Sequence, residues 1–394
     1  MWERSAANGS LAGTLRILQV AHKFPPYMGG IETHVMEVSR RLVAMGHDVT
    51  VLTTDSSGSL QRSEVVDGIK VRRVPVVRGS GDALLAPRIY SAVSEIPCDV
   101  MHVQGFHTFV PPLAMAAAVR SDIPFVATFH SGGHSSPLRH AVRGLQRLAL
   151  KPLLLRAAQL IGVSEFEARL FANGLGVPVP SVRVVPNGSQ MAPPATVASP
   201  DPDRPLVVSM GRLEKYKGHH RAIDAFVAFR KLRPGATLRI LGEGPYRQAL
   251  EEKVRRLGLE GEITIGGIPP SERGAMADLL SRAALILFLS EYEAHPVAAL
   301  EAIALGRPAL ATNATGFMEM VERGEVAGVA PEATPTEVAR AMVETIEAPA
   351  RGRPQISDWD TCARTLLDIY RTVASRRPAA GGAPGDASLA KDAA

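Results

Sequence analysis

The chain has 394 residues, which is too long for one ordinary hydrophobic core, so two domains are expected. Hydrophobic residues make up 46% and charged residues 21%, a globular balance, and no apolar run reaches the roughly 20 residues that a membrane-spanning helix needs. The net charge of +5 permits an anionic ligand or membrane surface without requiring either, and we expect no nucleic-acid partner. Cys98 and Cys362 are the only cysteines, which excludes a disulfide framework, and their positions indicate no cysteine-based metal site.

The first segment, residues 1–14, is polar and rich in small residues. It lacks the basic-then-apolar order of a secretory signal, so we expect it to be disordered and the protein to be cytoplasmic.

Runs typical of buried strands alternate with runs typical of helices along most of the chain, which predicts parallel sheets covered by helices. Residues 29–46 form the first predicted helix, in which Ile31, Val35, Val38 and Leu42 share one face. Ser164 and Glu167 have the spacing of a capping box. The predicted strands of the first half are 15–21, 49–53, 99–104, 124–130, 159–163 and 182–185.

A segment rich in Pro, Ala and Ser at 189–205 divides this half from a second series of strands and helices. The predicted strands of the second half are 206–210, 237–241, 262–265, 284–289 and 308–311. We therefore predict two successive Rossmann-like halves with a ligand in the crevice at the carboxyl ends of the strands. The predicted division is 1–14 disordered, 15–188 N-terminal domain, 189–205 linker, 206–357 C-terminal domain, 358–376 C-terminal helix and 377–394 disordered tail.

Two cations follow the first strand of the second half. Arg212 and Lys217 lie between a predicted strand and a predicted helix, at the carboxyl edge of the sheet. Arg presents a planar fork to phosphate oxygens and Lys presents a point charge, so together they can neutralise a diphosphate. Two solvated loop cations are the alternative.

Two acidic residues lie farther along the same predicted edge. Glu293 stands in the loop after a strand, and Glu301 stands eight positions later in a helix that begins near Pro296. The free N–H groups of Val297 and Ala298 at that helix start form an anion site. The alternative is a pair of surface acids, but Glu301 lies in the apolar stretch VAALEAIAL, where an unpartnered carboxylate is costly.

These two segments, GRLEKYKG and EYEAHPVAALEAIALGRP, resemble the retaining glycosyltransferases of family four, which have the two-domain GT-B architecture. The resemblance implies that Arg212 and Lys217 hold the donor diphosphate, that Glu293 contacts the transferred sugar and that Glu301 contacts the ribose. It also implies two Rossmann-like domains facing across a cleft, with the C-terminal helix crossing back to the N-terminal domain. His295 departs from the family pattern after the first Glu and leaves the sugar undetermined.

Glycines complete the predicted donor site. Gly242 and Gly244 in LGEGP match the family and would allow close backbone approach near the nucleotide, with Ile268 near the base. Gly29 and Gly30 in FPPYMGGIE resemble the family's first glycine-rich loop, whose N–H groups would approach the donor phosphate from the other domain. A plain turn at a helix start is the alternative.

His130 ends a predicted strand, and the resemblance implies that it is an active-site residue beside the transferred sugar. Glu32, His102, His107 and His134 are predicted on the acceptor side. A structural role is the alternative for His102 and His107, and an ordinary loop histidine is the favoured alternative for His134. No cluster of His and carboxylates has metal-ligand spacing, so we predict neither an essential metal nor a cofactor.

Residues 137–156 combine an apolar stripe with Arg139, Arg143, Arg147 and Lys151 at every fourth position. Such a helix can contact anionic lipids at the inner face of the cell membrane, or it can pack on its own domain with a solvated basic face.

The predicted function is transfer of a hexose-type sugar from a UDP-sugar or GDP-sugar to a hydroxyl acceptor, with retention, in carbohydrate biosynthesis. The acceptor is a glycolipid, a polysaccharide precursor or a small molecule. A sugar-nucleotide epimerase and a non-catalytic sugar-nucleotide-binding protein remain as alternatives, and a nicotinamide oxidoreductase is disfavoured because no G-x-G-x-x-G fingerprint is present.

Overall fold

The computed structural model describes residues 13–27, 29–77, 85–131, 146, 148–189, 199–269, 272–348 and 357–376. Most of the two segments predicted to be disordered, and the middle of the predicted linker, lie outside these residues.

The first lobe is built on an eight-stranded sheet with the order β3-β4-β2-β1-β5-β6-β7-β8, parallel except for the antiparallel pair of β3 and β4. Every residue of β5 is buried because helices cover both faces of the sheet. The strands are β1 Arg16–Val20, β2 Asp48–Asp55, β3 Ser63–Val66, β4 Ile69–Pro75, β5 Val100–Gln104, β6 Phe125–Thr128, β7 Gln159–Gly162 and β8 Val182–Val184. Its helices are α1 Gly30–Ala44, α2 Arg88–Glu95, α3 Val110–Arg120 and α4 Glu165–Leu175.

The second lobe is built on a six-stranded parallel sheet with the order β11-β10-β9-β12-β13-β14. Its strands are β9 Leu206–Met210, β10 Thr237–Leu241, β11 Ile263–Ile265, β12 Ala283–Phe288, β13 Ala309–Thr312 and β14 Ala327–Val329. Its helices are α5 His219–Leu232, α6 Arg247–Leu257, α7 Arg273–Ser281, α8 Val297–Ala304, α9 Gly316–Glu322 and α10 Pro335–Glu347.

The last helix, α11 Trp359–Ser375, leaves the second lobe and packs on the first, as expected. Its apolar face joins the cluster formed by α1 and the first sheet, where Tyr370 has no exposed surface. A side chain at Gly188 would place its Cβ 2.3 Å from the backbone nitrogen of Trp359, so only glycine allows the two segments to cross this closely. The fold is thus the predicted pair of Rossmann-like lobes.

Three local features differ from the sequence predictions. The hairpin of β3 and β4 was not predicted, although Asp67 and Gly68 form a recognisable hairpin turn. The short edge strand β14 was also not predicted. Ser164 caps α4 by accepting from the backbone N–H of Glu167, but the Glu167 carboxylate binds the backbone N–H groups of Val163 and Ser131, so the predicted capping box is only half formed.

In the part of the chain that the structure describes, no helix combines the length and the apolar character needed to cross a lipid bilayer.

Candidate active site

The site lies where loops from the carboxyl ends of both sheets meet, because all strands of a parallel sheet deliver their following loops to one edge. The second lobe contributes the loops after β9 and β12, and the first lobe contributes the loops after β1 and β6. Hydrogen bonds join the lobes at this edge, among them one from the backbone N–H of Phe166 to the Glu319 carboxylate. The hydroxyl groups of Ser131 and Tyr292 are 2.7 Å apart, and the Asn187 amide donates to the backbone oxygen of His295 over 3.2 Å.

An ion pair lies at the centre of the second-lobe edge. The Lys217 Nζ is 2.5 Å from Oε1 of Glu293, and both side chains are largely buried. Burial is the largest single influence and would lower the pKa of Lys217, but the charge of Glu293, the Tyr216 hydroxyl and the hydrogen bond to Glu293 together outweigh it. The pKa of Lys217 is therefore raised and the ammonium stays charged. The turn before α5 can hold Lys217 here because Gly218 adopts φ 74° against the backbone of Leu289, where a Cβ would be 1.9 Å from the carbonyl oxygen.

Three residues that the sequence did not single out hold Glu293 in place. Ser290 donates to its carboxylate over 3.0 Å, and the hydroxyl of Thr315 accepts from its backbone N–H over 2.9 Å. Thr315 has φ 51°, an unfavourable conformation for a β-branched residue, and Gly316 donates to the Glu293 carbonyl over 2.8 Å. The backbone at Glu293 is therefore fixed by the residues that follow β13 and begin α9.

Arg212 extends from the same edge toward the first lobe. Its guanidinium is 64% exposed and 3.1 Å from the Glu214 carboxylate. Burial raises the pKa of Glu32 at the start of α1, and the positive charge of Arg212 across the cleft works against this rise. Arg212 is thus a largely solvated cation within electrostatic range of both lobes.

His219 anchors the loop that carries Arg212, and the sequence analysis did not identify it. Its Nε2 is 3.2 Å from the Arg212 carbonyl oxygen, which can only accept, so Nε2 carries the proton and Nδ1 accepts from Ser209. Burial lowers the pKa of His219 to about 4. The neutral ring therefore fixes the backbone of Arg212 at ordinary pH.

Glu301 lies in the second turn of α8 and is 2.7 Å from the guanidinium of Arg273. Arg273, at the first position of α7, is another residue that the sequence analysis missed. Pro296 precedes the start of α8 and makes no side-chain hydrogen bond to the N–H groups that follow, those of Val297 and Ala298. The start of α8, where a ligand anion would bind, falls between Glu293 and Glu301 in the sequence.

His130 projects from the end of β6 in the first lobe. It has φ 46°, is 8% exposed, and its Nε2 is 2.8 Å from Oε1 of Gln104. Burial lowers the pKa of His130 well below its usual value, and the neighbouring histidines, His34 foremost, lower it further. The ring is therefore neutral.

Glu167 supports the backbone at His130 from behind. Its fully buried carboxylate accepts from the backbone N–H and the hydroxyl of Ser131 over 2.5 and 2.6 Å. The same hydroxyl contacts Tyr292, one residue before Glu293. A short series of polar contacts thus connects the His130 loop with the Glu293 loop.

Two family models match the chain. The model described as "Glycosyltransferase Family 4" matches residues 28–190, and the model described as "Glycosyl transferases group 1" matches residues 197–357. The chain belongs to glycosyltransferase family 4.

Relatives and solved structures match this chain over at least 90% of its length. It is 28% identical to a glycogen synthase of Mycobacterium tuberculosis, over 90% of this chain and 94% of that protein. It is 27% identical to a GDP-mannose:cellobiosyl-diphosphopolyprenol alpha-mannosyltransferase of Komagataeibacter xylinus, over 92% and 94%. The crystal structure of HepE from Anabaena in complex with UDP and glucose has a TM-score of 0.70 and 20% identity, over 91% of this chain and 100% of that one, which shows the shared fold.

Two glycines predicted on the donor side of this family 4 chain, Gly242 and Gly244, are needed for backbone packing. A Cβ at Gly242 would be 2.0 Å from the Gly211 carbonyl oxygen, and one at Gly244 would be 2.5 Å from that of Leu213. These glycines therefore let two segments of the chain's own backbone approach each other closely.

The remaining predicted donor residues lie around the same cleft. Gly29 precedes α1 and Gly30 begins it, with the Glu32 carboxylate folded back against Gly29. Ile268 is half-buried beyond the end of β11. His295 is half-buried, and burial lowers its pKa to about 4.

The residues predicted on the acceptor side of this family 4 glycosyltransferase differ in their burial. His102 has no exposed surface and lies inside β5, hydrogen-bonded to Tyr370 and Thr128, so the structure corrects its assignment to the acceptor pocket. The reason is that β5 is covered on both faces and α11 lies over the one that carries His102. His107 is half-buried at the carboxyl end of β5, with its ring centroid 5.6 Å from that of His22.

Other predictions fall where the structure gives no description. His134 lies outside the described residues, as do Arg139, Arg143 and Arg147 of the proposed basic helix, whereas Lys151 is described and half-buried. Within the described ranges, no three His, Cys, Asp or Glu side chains are grouped so that they could hold a metal ion.

Proposed function

We propose that this family 4 glycosyltransferase transfers a hexose-type sugar, with retention of anomeric configuration and without a metal ion, from a nucleoside-diphosphate sugar to a hydroxyl acceptor. The observation that carries the proposal is the Lys217–Glu293 pair, placed beside Arg212 and before the uncapped start of α8. HepE, a structural relative, was solved with UDP and glucose, and the mannosyltransferase relative uses GDP-mannose. These two relatives support a nucleotide-sugar donor without selecting between UDP and GDP.

The proposed chemistry places negative charge where the positive groups lie. The bond between the anomeric carbon and the diphosphate oxygen breaks, and the electron pair leaves with the diphosphate. The acceptor hydroxyl forms the new glycosidic bond on the same face and gives its proton to the departing diphosphate. Arg212, Lys217 and the N–H groups at the start of α8 stabilise the developing charge. Glu293 and His130 orient the sugar as it gains oxocarbenium character.

Each remaining donor-side residue has a role in this proposal. Glu301 accepts from the ribose hydroxyls, while Gly29 and Gly30 approach the phosphates from the first lobe. Gly242, Gly244 and Ile268 shape the nucleotide side, and His295 and Pro296 shape the sugar side. On the acceptor side we propose Glu32 and His107, with His134 as a further candidate.

The donor is tested by thermal shift with UDP, GDP and ADP, followed by their sugars, on the purified full chain. We expect one nucleoside diphosphate to raise the melting temperature and its sugar to turn over with an added acceptor. NMR of the anomeric signal then reads retention or inversion directly. A product of inverted configuration would reject the proposed stereochemistry, and loss of activity in EDTA would reject metal independence.

The role of His130 is tested by His130→Ala. We expect turnover to fall on the order of 100-fold while the nucleoside diphosphate still binds, because His130 is proposed to contact the sugar and not the diphosphate. Loss of nucleotide binding would instead show that His130 belongs to the nucleotide site.

Two acceptor classes follow from the sequence, a lipid-linked acceptor and a small molecule. The mannosyltransferase relative acts on a diphosphopolyprenol-linked sugar, which favours the first. Peripheral contact through residues 137–156 is tested by co-sedimentation of the full chain with anionic vesicles. Absence of binding at low salt would reject the membrane contact.

A further inference from the structure

A buried chain of hydrogen bonds connects the C-terminal helix to His130. On α11, the Tyr370 hydroxyl accepts from the Gln19 amide over 3.1 Å and is 2.5 Å from Nδ1 of His102. The Gln104 amide donates to Gln19 over 2.8 Å, and its carbonyl oxygen is 2.8 Å from Nε2 of His130. The four residues behind His130 have no exposed surface, so water does not offer them alternative partners.

The direction of these bonds follows from Gln104. Its amide nitrogen lies 2.8 Å from Oε1 of Gln19 and 3.1 Å from Nδ1 of His102, and it uses both of its hydrogens when that Nδ1 carries no proton. A reversed amide would turn both hydrogens toward His130, which can accept only one, and would leave a buried N–H without an acceptor. The carbonyl oxygen of Gln104 therefore faces His130.

A carbonyl oxygen only accepts, so Nε2 of His130 carries the proton. In a neutral imidazole the other nitrogen is then an acceptor, and Nδ1 of His130 has no hydrogen-bond partner within the described part of the chain. The backbone is held separately, because Ser131, the next residue, donates to Glu167 over 2.5 Å. His130 is thus fixed both in orientation and in tautomer.

Both ring nitrogens of His102 also have hydrogen-bond partners. Its Nε2 is 2.7 Å from the Thr128 hydroxyl and donates to it. The single lone pair of Nδ1 is shared by two donors, the Tyr370 hydroxyl at 2.5 Å and the more distant Gln104 amide at 3.1 Å. Burial lowers the pKa of His102 well below its usual value, so this ring is neutral too. Each contact from Tyr370 to His130 then joins a donor to an acceptor, with Nδ1 of His102 serving as the acceptor for two donors.

We propose that Gln104 is a positioning residue that holds His130 in the Nε2–H tautomer, and that Tyr370 of the C-terminal helix fixes Gln104 through Gln19 and His102. His130 consequently offers Nδ1 to a hydroxyl group of the transferred sugar as an acceptor. This last consequence rests on the proposed function of His130, whereas the tautomer does not. The C-terminal helix, which crosses from the second lobe to the first, thereby becomes part of the sugar site.

The tautomer is read by long-range proton–nitrogen NMR of the full chain labelled with 15N-histidine, with His130 assigned by the signals lost in His130→Gln. In the wild-type chain we expect Nε2 of His130 to be protonated and Nδ1 to be unprotonated. The opposite tautomer would overturn the proposal, because the chain of hydrogen bonds would then run in reverse.

Gln104→Met keeps the length of the side chain but removes its hydrogen bonds. We expect a mixed His130 tautomer and a kcat lowered on the order of tenfold, with the KM for the donor changed less than about threefold. The matched control is Gln159→Met on β7, where Gln159 contacts the carbonyl oxygens of Leu160 and Ser181 and not the chain of bonds described here. The control should leave both the tautomer and kcat as in the wild type.

Tyr370→Phe provides a second variant that keeps the packing of the ring if Gln104→Met does not fold. It should also populate the second tautomer of His130, since Gln19 and His102 lose their shared partner. An unchanged tautomer in the folded variants would overturn the positioning role. If instead the tautomer shifts as expected while His130→Ala retains full turnover, the positioning role stands and the proposed function of His130 fails.

Discussion

The ammonium group of Lys217 lies 2.5 Å from the carboxylate of Glu293, although 76 residues separate them in the chain. The pair connects the loop after β9 with the loop after β12, so the proposed diphosphate site and the proposed sugar site share one ion pair. A change at either residue should therefore affect both the diphosphate site and the sugar site.

Lys217→Ala should weaken donor binding and turnover together. Each is expected to fall on the order of tenfold or more, because a charge on the diphosphate and the partner of Glu293 are lost at once. Unfolding free energy should also fall by roughly 1–3 kcal/mol, since the carboxylate loses its compensating charge. Calorimetric titration with nucleoside diphosphate, steady-state kinetics and denaturant unfolding measure the three effects.

The control for this change is Lys215→Ala, two residues earlier in the same turn, where the side chain is exposed. It should change donor affinity and turnover less than about twofold and leave the free energy of unfolding nearly unchanged, as surface charges contribute little. Unchanged turnover in Lys217→Ala would show that the diphosphate lies elsewhere.

Glu301→Gln tests recognition of the ribose. The wild-type chain should bind the ribonucleoside diphosphate roughly tenfold more tightly than its 2′,3′-dideoxy analogue, because a carboxylate accepts strongly from vicinal hydroxyls. The variant should lose most of this preference while its affinity for the dideoxy analogue stays the same. Glu260→Gln, an exposed acid after α6, should retain the full preference. An equal preference in wild type and Glu301→Gln would remove Glu301 from the ribose site.

Gly316→Ala tests the support of Glu293. An added Cβ would lie 2.1 Å from the Ala294 carbonyl oxygen and 2.7 Å from that of Glu293, so this backbone must move. We expect a loss of turnover of at least about tenfold, in line with the cost of small misplacements in active sites.

Gly274→Ala is its matched control, since a Cβ there meets nothing within 4 Å and the residue lies in the first turn of α7. This change should leave turnover intact and raise stability by up to about 1 kcal/mol. Equal activity of the two variants would contradict the proposed support.

Stability should depend on pH through His219 and His295. Burial lowers the pKa of each to about 4, below the ordinary value of 6.5, so the unfolded chain binds more protons between these two values. The free energy of unfolding should therefore fall as pH drops from about 6.5 to 4, by roughly 1.4 kcal/mol per pH unit for each group.

His219→Gln should reduce this slope, because glutamine carries no titrating group and can still donate to the Arg212 carbonyl. Denaturant unfolding of wild type and variant at pH 7.5, 6.0 and 5.0 measures the change. A variant with the full wild-type slope would show that His219 is not buried as a neutral ring.

The sequence by itself determined the architecture and predicted the donor residues. Alternation of apolar strands with amphipathic helices depends on local periodicity, and it identified the main strands of both sheets. The positions of Arg212, Lys217, Glu293 and Glu301 after predicted strands or in the following helix were sufficient to predict one shared edge, because parallel topology brings those ends together.

Only the tertiary structure decided how these residues are held. The contacts of Thr315 and Gly316 with Glu293, of Arg273 with Glu301 and of Tyr370 with His102 join segments distant in sequence, and no local pattern encodes such pairings. His102 shows the same limit, since its place at a strand end suggested the cleft and only the packing of α11 over β5 made it internal. Local periodicity is fixed by backbone geometry, whereas the partner of a buried polar side chain depends on which distant element covers it.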